Sequence, residues 1–169
     1  GIPVREVSIG STPTVLAAND FSNITEIRPG NYVFMDRTPL RLGLIEERQA
    51  ALTMLATVAS KSKRYLITDA GSKSLSSDQG AHGIAGMEGY GIAYPVERFL
   101  QPEAAMRVEK MSEEHGFVVP GDVELGIGSR LRIIPNHSCT AANLFDSYVV
   151  VSKDEIVDRW PLTARGKVT

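Results

Sequence analysis

The residues best suited to chemistry are His137 and Cys139, which lie two positions apart just after the apolar run 131–134. That run predicts a strand. If the backbone stays extended to Cys139, the two side chains project to the same face and could bind one metal ion. A thiolate beside an imidazole suits Zn²⁺ better than Mg²⁺ or Ca²⁺, and two ligands leave open positions of the kind that catalytic sites keep. The alternative is a small buried Cys and a hydrogen-bonded His at a strand end.

A second candidate site follows the predicted strand 4–9. Gly10, Ser11 and Thr12 come directly after this strand, and Pro13 suits the first turn of a helix. Backbone N–H groups and hydroxyls at such a turn can bind an anion, and barrel enzymes often hold a phosphate in this way. The alternative is an ordinary N-cap, in which Ser11 or Thr12 satisfies the donors of the helix itself.

A third group of polar residues precedes a glycine turn. Glu113, Glu114 and His115 offer two carboxylates and an imidazole, which could do acid–base work. The alternative is a solvated turn. His82 lies in the glycine-rich stretch 80–91, which is interpreted as a flexible surface loop or lid, and it has no obvious partner.

Composition and charge exclude several classes of protein. A chain of 169 residues with 43% hydrophobic residues is long enough for one domain with a core. A net charge of −2 without any Lys/Arg cluster argues against a nucleic-acid partner. Since no apolar run reaches membrane-spanning length, no membrane partner is expected. A single Cys fits a reducing compartment, so a cytoplasmic location is predicted.

The remaining pattern is one of many short strands and few helices. A mostly antiparallel, barrel-like β domain is therefore predicted. The first strand and its helix follow βα rather than ββ order, which predicts a boundary between 1–25 and 26–169. The predicted strands are 4–9, 32–36, 50–60, 65–69, 107–111, 123–125, 131–134, 147–151 and 155–160.

Six stretches spread along the chain, taken in order, resemble one family: the D-threonine aldolase and D-serine dehydratase group of alanine-racemase-like, fold-type III pyridoxal phosphate enzymes. Each stretch is weak alone, and the ordered set is specific. The stretches are 10–14 (GSTPT), 26–32 (EIRPGNY), 69–73 with 76–78 (DAGSK, SSD), 112–116 (SEEHG), 135–139 (PNHSC) and 158–161 with 164–166 (DRWP, ARG).

The resemblance implies an N-terminal (β/α)8 barrel followed by a C-terminal β domain. Residues 1–25 would then be the end of the barrel, and 26–169 the whole β domain. The family's Schiff-base lysine lies early in the barrel, and Lys61, Lys63 and Lys73 do not sit in a matching context. The chain is therefore expected to need the N-terminal barrel segment and to be inactive alone.

The resemblance also implies roles for the candidate residues. A metal on His137 and Cys139 would coordinate the β-hydroxyl of a D-amino acid substrate, while pyridoxal 5'-phosphate serves as electron sink. Gly10, Ser11 and Thr12 would hold the cofactor phosphate.

The resemblance also implies the identity of the metal, the type of reaction, further catalytic groups and the oligomeric state. Because the second ligand is Cys139 rather than Asp, zinc is expected, with manganese or another divalent metal as alternatives, and dehydration is favoured over aldol cleavage. Glu113, Glu114, His115 and the hydroxyl of Tyr32 are candidate catalytic groups, and a homodimer is expected. The competing hypothesis is a non-catalytic β module for binding or dimerisation that keeps the family scaffold.

Overall fold

The computed structural model describes residues 2–80, 84–153 and 155–167. The described part contains ten strands and four short α-helices. The strands are β1 (Ser8–Gly10), β2 (Glu26–Arg28), β3 (Met54–Lys61), β4 (Leu66–Thr68), β5 (Gly91–Pro95), β6 (Met106–Met111), β7 (Gly116–Val119), β8 (Arg130–Pro135), β9 (Ser147–Ser152) and β10 (Glu155–Pro161). The helices are α1 (Thr12–Ala17), α2 (Arg37–Arg41), α3 (Ser72–Leu75) and α4 (Ser138–Ala142).

Six strands close into a barrel in the order β3-β4-β7-β6-β5-β8, and every neighbouring pair is antiparallel. Closure leaves no strand of this sheet with an unpaired edge. Alternate side chains point inward and form the core, which includes Val58, Leu66, Val108, Val118, Leu131 and Ile133. The predicted mainly antiparallel, barrel-like β fold is confirmed.

The segment before the barrel has a different organisation. Strands β1 and β2 pair in parallel, with Ser8 opposite Glu26, and α1 forms the connection between them. Parallel strands need such a crossover. The pairing spans the boundary predicted between residues 25 and 26. Ile27 of this small sheet and Val7 just before β1 are exposed apolar side chains, whereas parallel sheets are normally covered on both faces.

The predicted strand at 32–36 is wrong. The chain forms a 3₁₀ turn at Asn31–Val33, Met35 adopts a φ of 54°, and Asp36 then caps α2 by accepting the N–H of Thr38. The aromatic and β-branched residues here favour a strand by propensity. Local capping and the packing of Asp36 against distant segments override that preference.

Other strand predictions fare differently. Strand β3 confirms the strand predicted at 50–60 from Met54 onward, while residues 50–53 lie outside it. Strands β9 and β10 confirm the hairpin predicted at 147–160. The first predicted strand shortens to β1. The strand predicted at 123–125 is wrong, because Val123 follows a turn and packs into the barrel core without a strand partner.

No helix in the described ranges is long and apolar enough to cross a membrane. The glycine-rich stretch is described only in part, since His82 lies outside the described residues.

The contact between α3 and the β6–β7 turn gives a test of the fold. A Cβ added at Gly71 would lie 2.5 Å from the backbone nitrogen of His115, whereas a Cβ at Gly126 would meet nothing within 4 Å. We expect Gly71→Ala to lower the free energy of unfolding by about 1–3 kcal/mol because backbone must move. The matched variant Gly126→Ala should change it by less than about 0.5 kcal/mol. Urea unfolding measures both, and equal stabilities would contradict the packing.

Candidate metal-binding site

The two predicted metal ligands lie where β8 gives way to α4. Strand β8 ends at Pro135, His137 keeps an extended backbone, and α4 begins at Ser138. Cys139 therefore lies in the first helical turn. The predicted extended backbone through Cys139 is wrong. The helix begins at Ser138, whose backbone N–H donates to the buried carboxylate of Asp36 at 3.0 Å.

Despite the helix, both side chains border one cavity of about 670 Å³. This cavity thus brings the two predicted metal ligands together with two of the three predicted phosphate-binding residues; Gly10 immediately precedes them without lining it. The lining residues are Ser11, Thr12, Pro13, Gly30, Asn31, Thr38, Leu42, Asp78, Gly80, His137 and Cys139.

Asp36 controls the ring of His137. The Asp36 Oδ2 atom lies 2.9 Å from His137 Nδ1, and the Asp36 side chain is fully buried. The same carboxylate accepts hydrogen bonds from Asn31 Nδ2 (2.6 Å) and from the backbone N–H groups of Thr38 and Ser138. A carboxylate can only accept, so a proton resides on Nδ1, and Nε2 is the nitrogen with a lone pair available to bind a metal.

This contact also sets the charge of the imidazole. The hydrogen bond to Asp36 raises the pKa of His137, and burial opposes the rise. Burial also raises the pKa of the Cys139 thiol, with a smaller rise from the negative charge of Asp36. In the metal-free chain both groups therefore hold their protons more tightly than usual.

The donor set fits a zinc ion with open positions. An imidazole nitrogen and a thiol sulfur are ligands that Zn²⁺ prefers. Within the described residues no group of three or more His, Cys, Asp or Glu side chains is arranged to hold a metal. Asp78 lines the same cavity, with its Oδ1 accepting the N–H of Gly80.

Ser11 and Thr12 have local partners as well as a place on the cavity wall. The Ser11 side chain caps α1 by accepting the N–H of Thr14 (3.3 Å), and Thr12 Oγ1 accepts the N–H of Asn31 (3.0 Å). The N-cap alternative therefore describes Ser11 in this structure. A phosphate-binding role for Gly10, Ser11 and Thr12 stays a prediction.

The structure does not bring the acid–base trio to this cavity. Glu113 and Glu114 are exposed and form ion pairs with Lys73 at 3.0 and 2.7 Å. Neither they nor His115 line the cavity, and Tyr32 is 58% exposed outside it. The catalytic roles suggested for these residues stay predictions.

The backbone of that turn has a visible structural role. The carbonyls of Ser112 and Glu113 accept the N–H groups of Ser72 and Lys73, which open α3. Four N–H groups at the start of a helix lack partners within it, so the turn satisfies two of them. The turn therefore helps to fix the segment that leads to Asp78.

A tyrosine other than Tyr32 lies near Cys139, one of the two predicted metal ligands. Tyr148 packs edge-on against Phe34 and lines a second cavity of about 500 Å³, which also borders Cys139. Burial, followed by the nearby Cys139, raises the pKa of Tyr148. The sequence offered no signal for this neighbour, since Tyr148 lies within an ordinary strand.

Sequence reasoning also missed the residues that support the ligands. Asp36 before Thr38 and Pro39 is a helix-start signal, which could have identified the cap although not its contact with His137. Asn136 is fully buried, and Nη1 of Arg37 donates to its Oδ1 at 2.6 Å. Burial lowers the pKa of Arg37 to about 10.

The amide of Asn136 connects this support to two neighbouring segments. Its Nδ2 donates to the carbonyls of Gln79 (3.1 Å) and Gly89 (2.8 Å). Arg37 also donates to the carbonyl of Gly86 at 2.9 Å. Asn136, the residue before His137, is thereby connected to α2, to Gln79 just before the glycine-rich stretch and to the later part of that stretch.

Comparison with known proteins shows the family of this chain. A family model described as "Putative serine dehydratase domain" matches residues 51–151, more than half of the chain. The D-threo-3-hydroxyaspartate dehydratase of Delftia sp. is 34% identical over an alignment of 170 positions that covers 95% of this chain and 44% of that protein. The D-serine dehydratase of Dictyostelium discoideum is 35% identical over an alignment of 163 positions that covers 91% of this chain and 41% of that protein. The chain thus spans less than half the length of these curated relatives.

Solved structures that superpose on this chain come from the same kinds of enzyme as the sequence relatives. The Delftia sp. dehydratase superposes with a TM-score of 0.80 at 33% identity, covering 95% of this chain and 44% of that one. Structures of two mutants of the same enzyme also superpose on this chain, each with a TM-score of 0.81 and 32% identity. One mutant replaces a histidine with alanine. The other, in the metal-free form, replaces the cysteine two positions after that histidine with alanine.

A D-threonine aldolase from Filomicrobium marinum has a TM-score of 0.73 at 28% identity, covering 99% of this chain and 43% of that one. The matches thus include both dehydratases and an aldolase. The chain belongs to the serine dehydratase domain family and has the fold of the C-terminal part of the alanine-racemase-like D-threonine aldolase and D-serine dehydratase enzymes.

Proposed function

We propose that the chain supplies the metal site and part of the cofactor site of a lyase that acts on β-hydroxy D-amino acids. The observation that carries the proposal is the shared cavity of His137 and Cys139, with Asp36 on the far nitrogen of the imidazole. The two-residue spacing of His137 and Cys139 equals that of the two substituted residues in the Delftia sp. mutants, one of which is metal-free.

In this proposal His137 Nε2 and Cys139 Sγ hold zinc, with manganese or another divalent metal as the alternative. A bound Zn²⁺ would supply Lewis acidity at the substrate hydroxyl. Asp36 fixes the imidazole, and its negative charge offsets part of the positive charge of the ion. Asp78, on the same wall, is the carboxylate placed to exchange a proton with a molecule in the cavity.

The cofactor would be pyridoxal 5'-phosphate, with Gly10, Ser11 and Thr12 at its phosphate. Pyridoxal phosphate supplies an electron sink for bonds to the substrate α-carbon. No lysine occurs among the described residues that line the cavity. The Schiff-base lysine would come from an N-terminal barrel, which also accounts for the share of the relatives that this chain does not span.

The small parallel sheet supports that partner. Strands β1 and β2 leave apolar side chains exposed, among them Ile27 at 48%, and further parallel strands and helices of a (β/α)8 barrel would cover them. The parallel pairing extends the proposed barrel portion from residues 1–25 to Arg28. The proposal also includes a homodimer. It places the protein in the cytoplasm, because a thiol metal ligand suits a reducing compartment.

Two reactions are consistent with the relatives, dehydration and aldol cleavage. Cys139 favours dehydration, because the cysteine-to-alanine mutant among the solved structures belongs to a dehydratase. The alternative function is a non-catalytic β module for binding or dimerisation, which the cavity without a lysine favours.

The first test is metal content. We expect the purified chain to bind about one zinc ion, and His137→Ala or Cys139→Ser to weaken binding by more than about 100-fold because a direct ligand matters at least as much as its hydrogen-bond partner. His115→Ala is the matched control, since this histidine lies outside the cavity. Zinc titration against a chromophoric chelator gives the affinities. Unchanged binding in both ligand variants would exclude the site.

The pH dependence follows from the two raised pKa values. Zinc must displace the Cys139 proton and, in acid, also the second proton of the His137 imidazolium. We expect affinity to fall as pH is lowered from about 8 to 6, by up to about tenfold per pH unit for each proton displaced. The same titration at several pH values measures the slope. An affinity independent of pH would mean that neither group binds the ion.

The enzyme and module alternatives separate when the barrel is restored. The chain joined to its N-terminal barrel, supplied with pyridoxal phosphate and zinc, should release ammonia or aldehyde from a β-hydroxy D-amino acid. Cys139→Ser in that protein should lower kcat/KM by at least about 100-fold. A folded, cofactor-loaded and zinc-loaded protein inactive on D-serine, D-threonine and 3-hydroxy-D-aspartate would favour the non-catalytic module.

A further inference from the structure

The side-chain amide of Asn31 lies between the two segments that support the proposed metal ligands. Its Nδ2 donates to Asp36 Oδ2 at 2.6 Å, and its Oδ1 accepts from Ser138 Oγ at 2.7 Å. Asn31 is 8% exposed, and both partners are fully buried. Asn31 is separated by 107 positions from Ser138, so the contact links two distant parts of the chain.

Each of these hydrogen bonds leads to one ligand. Asp36 Oδ2, which Asn31 holds, is the atom that contacts His137 Nδ1. Ser138 is the residue between the two ligands, and its N–H donates to the same Oδ2 atom. Fixing Asp36 orients the imidazole, while fixing Ser138 sets the first turn of α4 and with it Cys139.

The chemistry of the partners defines how the amide is oriented. A carboxylate can only accept, so the NH₂ group of Asn31 must face Asp36, and its oxygen then faces the Ser138 hydroxyl. An amide provides a donor and an acceptor at one position. Asn31 is itself held in place, because its backbone N–H donates to Thr12 Oγ1 at 3.0 Å.

We propose that Asn31 is a positioning residue for the metal site, holding His137 through Asp36 and Cys139 through Ser138. The inference rests on the proposed function. With two protein ligands, the affinity of the site depends on how well those ligands are held before the ion arrives. Loss of a hydrogen-bond partner behind a metal ligand typically weakens metal binding by about 10–100-fold.

The experiment compares zinc affinities of the whole chain. Asn31→Ala should weaken zinc binding by about 10–100-fold. The control is Asn143→Ala, which removes the same side chain from the C-terminal end of α4, where its Oδ1 accepts only the N–H of Gly166 among the hydrogen bonds observed. The control should bind zinc within about twofold of the unmodified chain, the effect of a surface change of under 0.5 kcal/mol.

A second readout separates positioning from general loss of structure. With cobalt in place of zinc, the thiolate-to-cobalt absorption band reports the sulfur contact directly. We expect a weaker or shifted band in Asn31→Ala and an unchanged band in Asn143→Ala, with circular dichroism of both metal-free variants like that of the unmodified chain.

Ser138→Ala covers the case in which Asn31→Ala does not fold. This variant keeps the hydrogen bond between Asn31 and Asp36 and removes only the one between Asn31 and Ser138. It should therefore weaken zinc binding by about three- to tenfold, less than the loss expected for Asn31→Ala. Zinc affinity of a folded Asn31→Ala equal to that of Asn143→Ala overturns the inference and leaves the metal site intact. If Asn31→Ala does not fold, unchanged affinity in Ser138→Ala overturns it. An unmodified chain that binds no zinc overturns both the inference and the proposed function.

Discussion

The buried carboxylate of Asp36 is the constraint on which the site depends. A buried charge is costly unless hydrogen bonds replace its hydration, and four donors surround this one: the Asn31 amide, the His137 ring and the backbone N–H groups of Thr38 and Ser138. The Asp36 carboxylate receives all four hydrogen bonds only if three segments meet around it. These segments are the 3₁₀ turn before it, α2 after it and the junction between β8 and α4. The positions of the two proposed metal ligands, His137 and Cys139, follow from that requirement.

The barrel supplies the rigid frame for this meeting. Its closed order leaves β8 paired on both sides, with β3 and β5, so the end of β8 and the residues that follow have a fixed position. Arg37 and Asn136 then connect α2 to that end, as a buried guanidinium and amide. The βαβ segment and the β9–β10 hairpin lie outside the barrel and expose apolar side chains such as Ile27 and Ile156. These surfaces are what the proposed N-terminal barrel and second subunit would cover.

The sequence predicted the position of the site better than its local conformation. The types and spacing of His137 and Cys139 predicted that their side chains lie at one site, and both line the same cavity. The extended strand predicted through Cys139 was wrong, because α4 begins at Ser138. The alternating pattern of β3 and of the β9–β10 hairpin was readable because side chains on a strand alternate. Asp36 and Asn31 could not be placed, since their roles depend on contacts with residues about a hundred positions away. Glu113 and Glu114 were predicted by residue type alone; they are exposed and form ion pairs with Lys73, and their catalytic role stays a prediction.

The most direct measurement is X-ray absorption spectroscopy of the zinc-loaded chain at the zinc edge. The account predicts one sulfur neighbour at about 2.3 Å, from Cys139, together with nitrogen and oxygen neighbours at about 2.0–2.1 Å, one of them from His137. The sulfur contribution should vanish in Cys139→Ser. A zinc environment of oxygen and nitrogen alone in the unmodified chain, at stoichiometric loading, would contradict the central claim that this cavity is a thiolate–imidazole metal site.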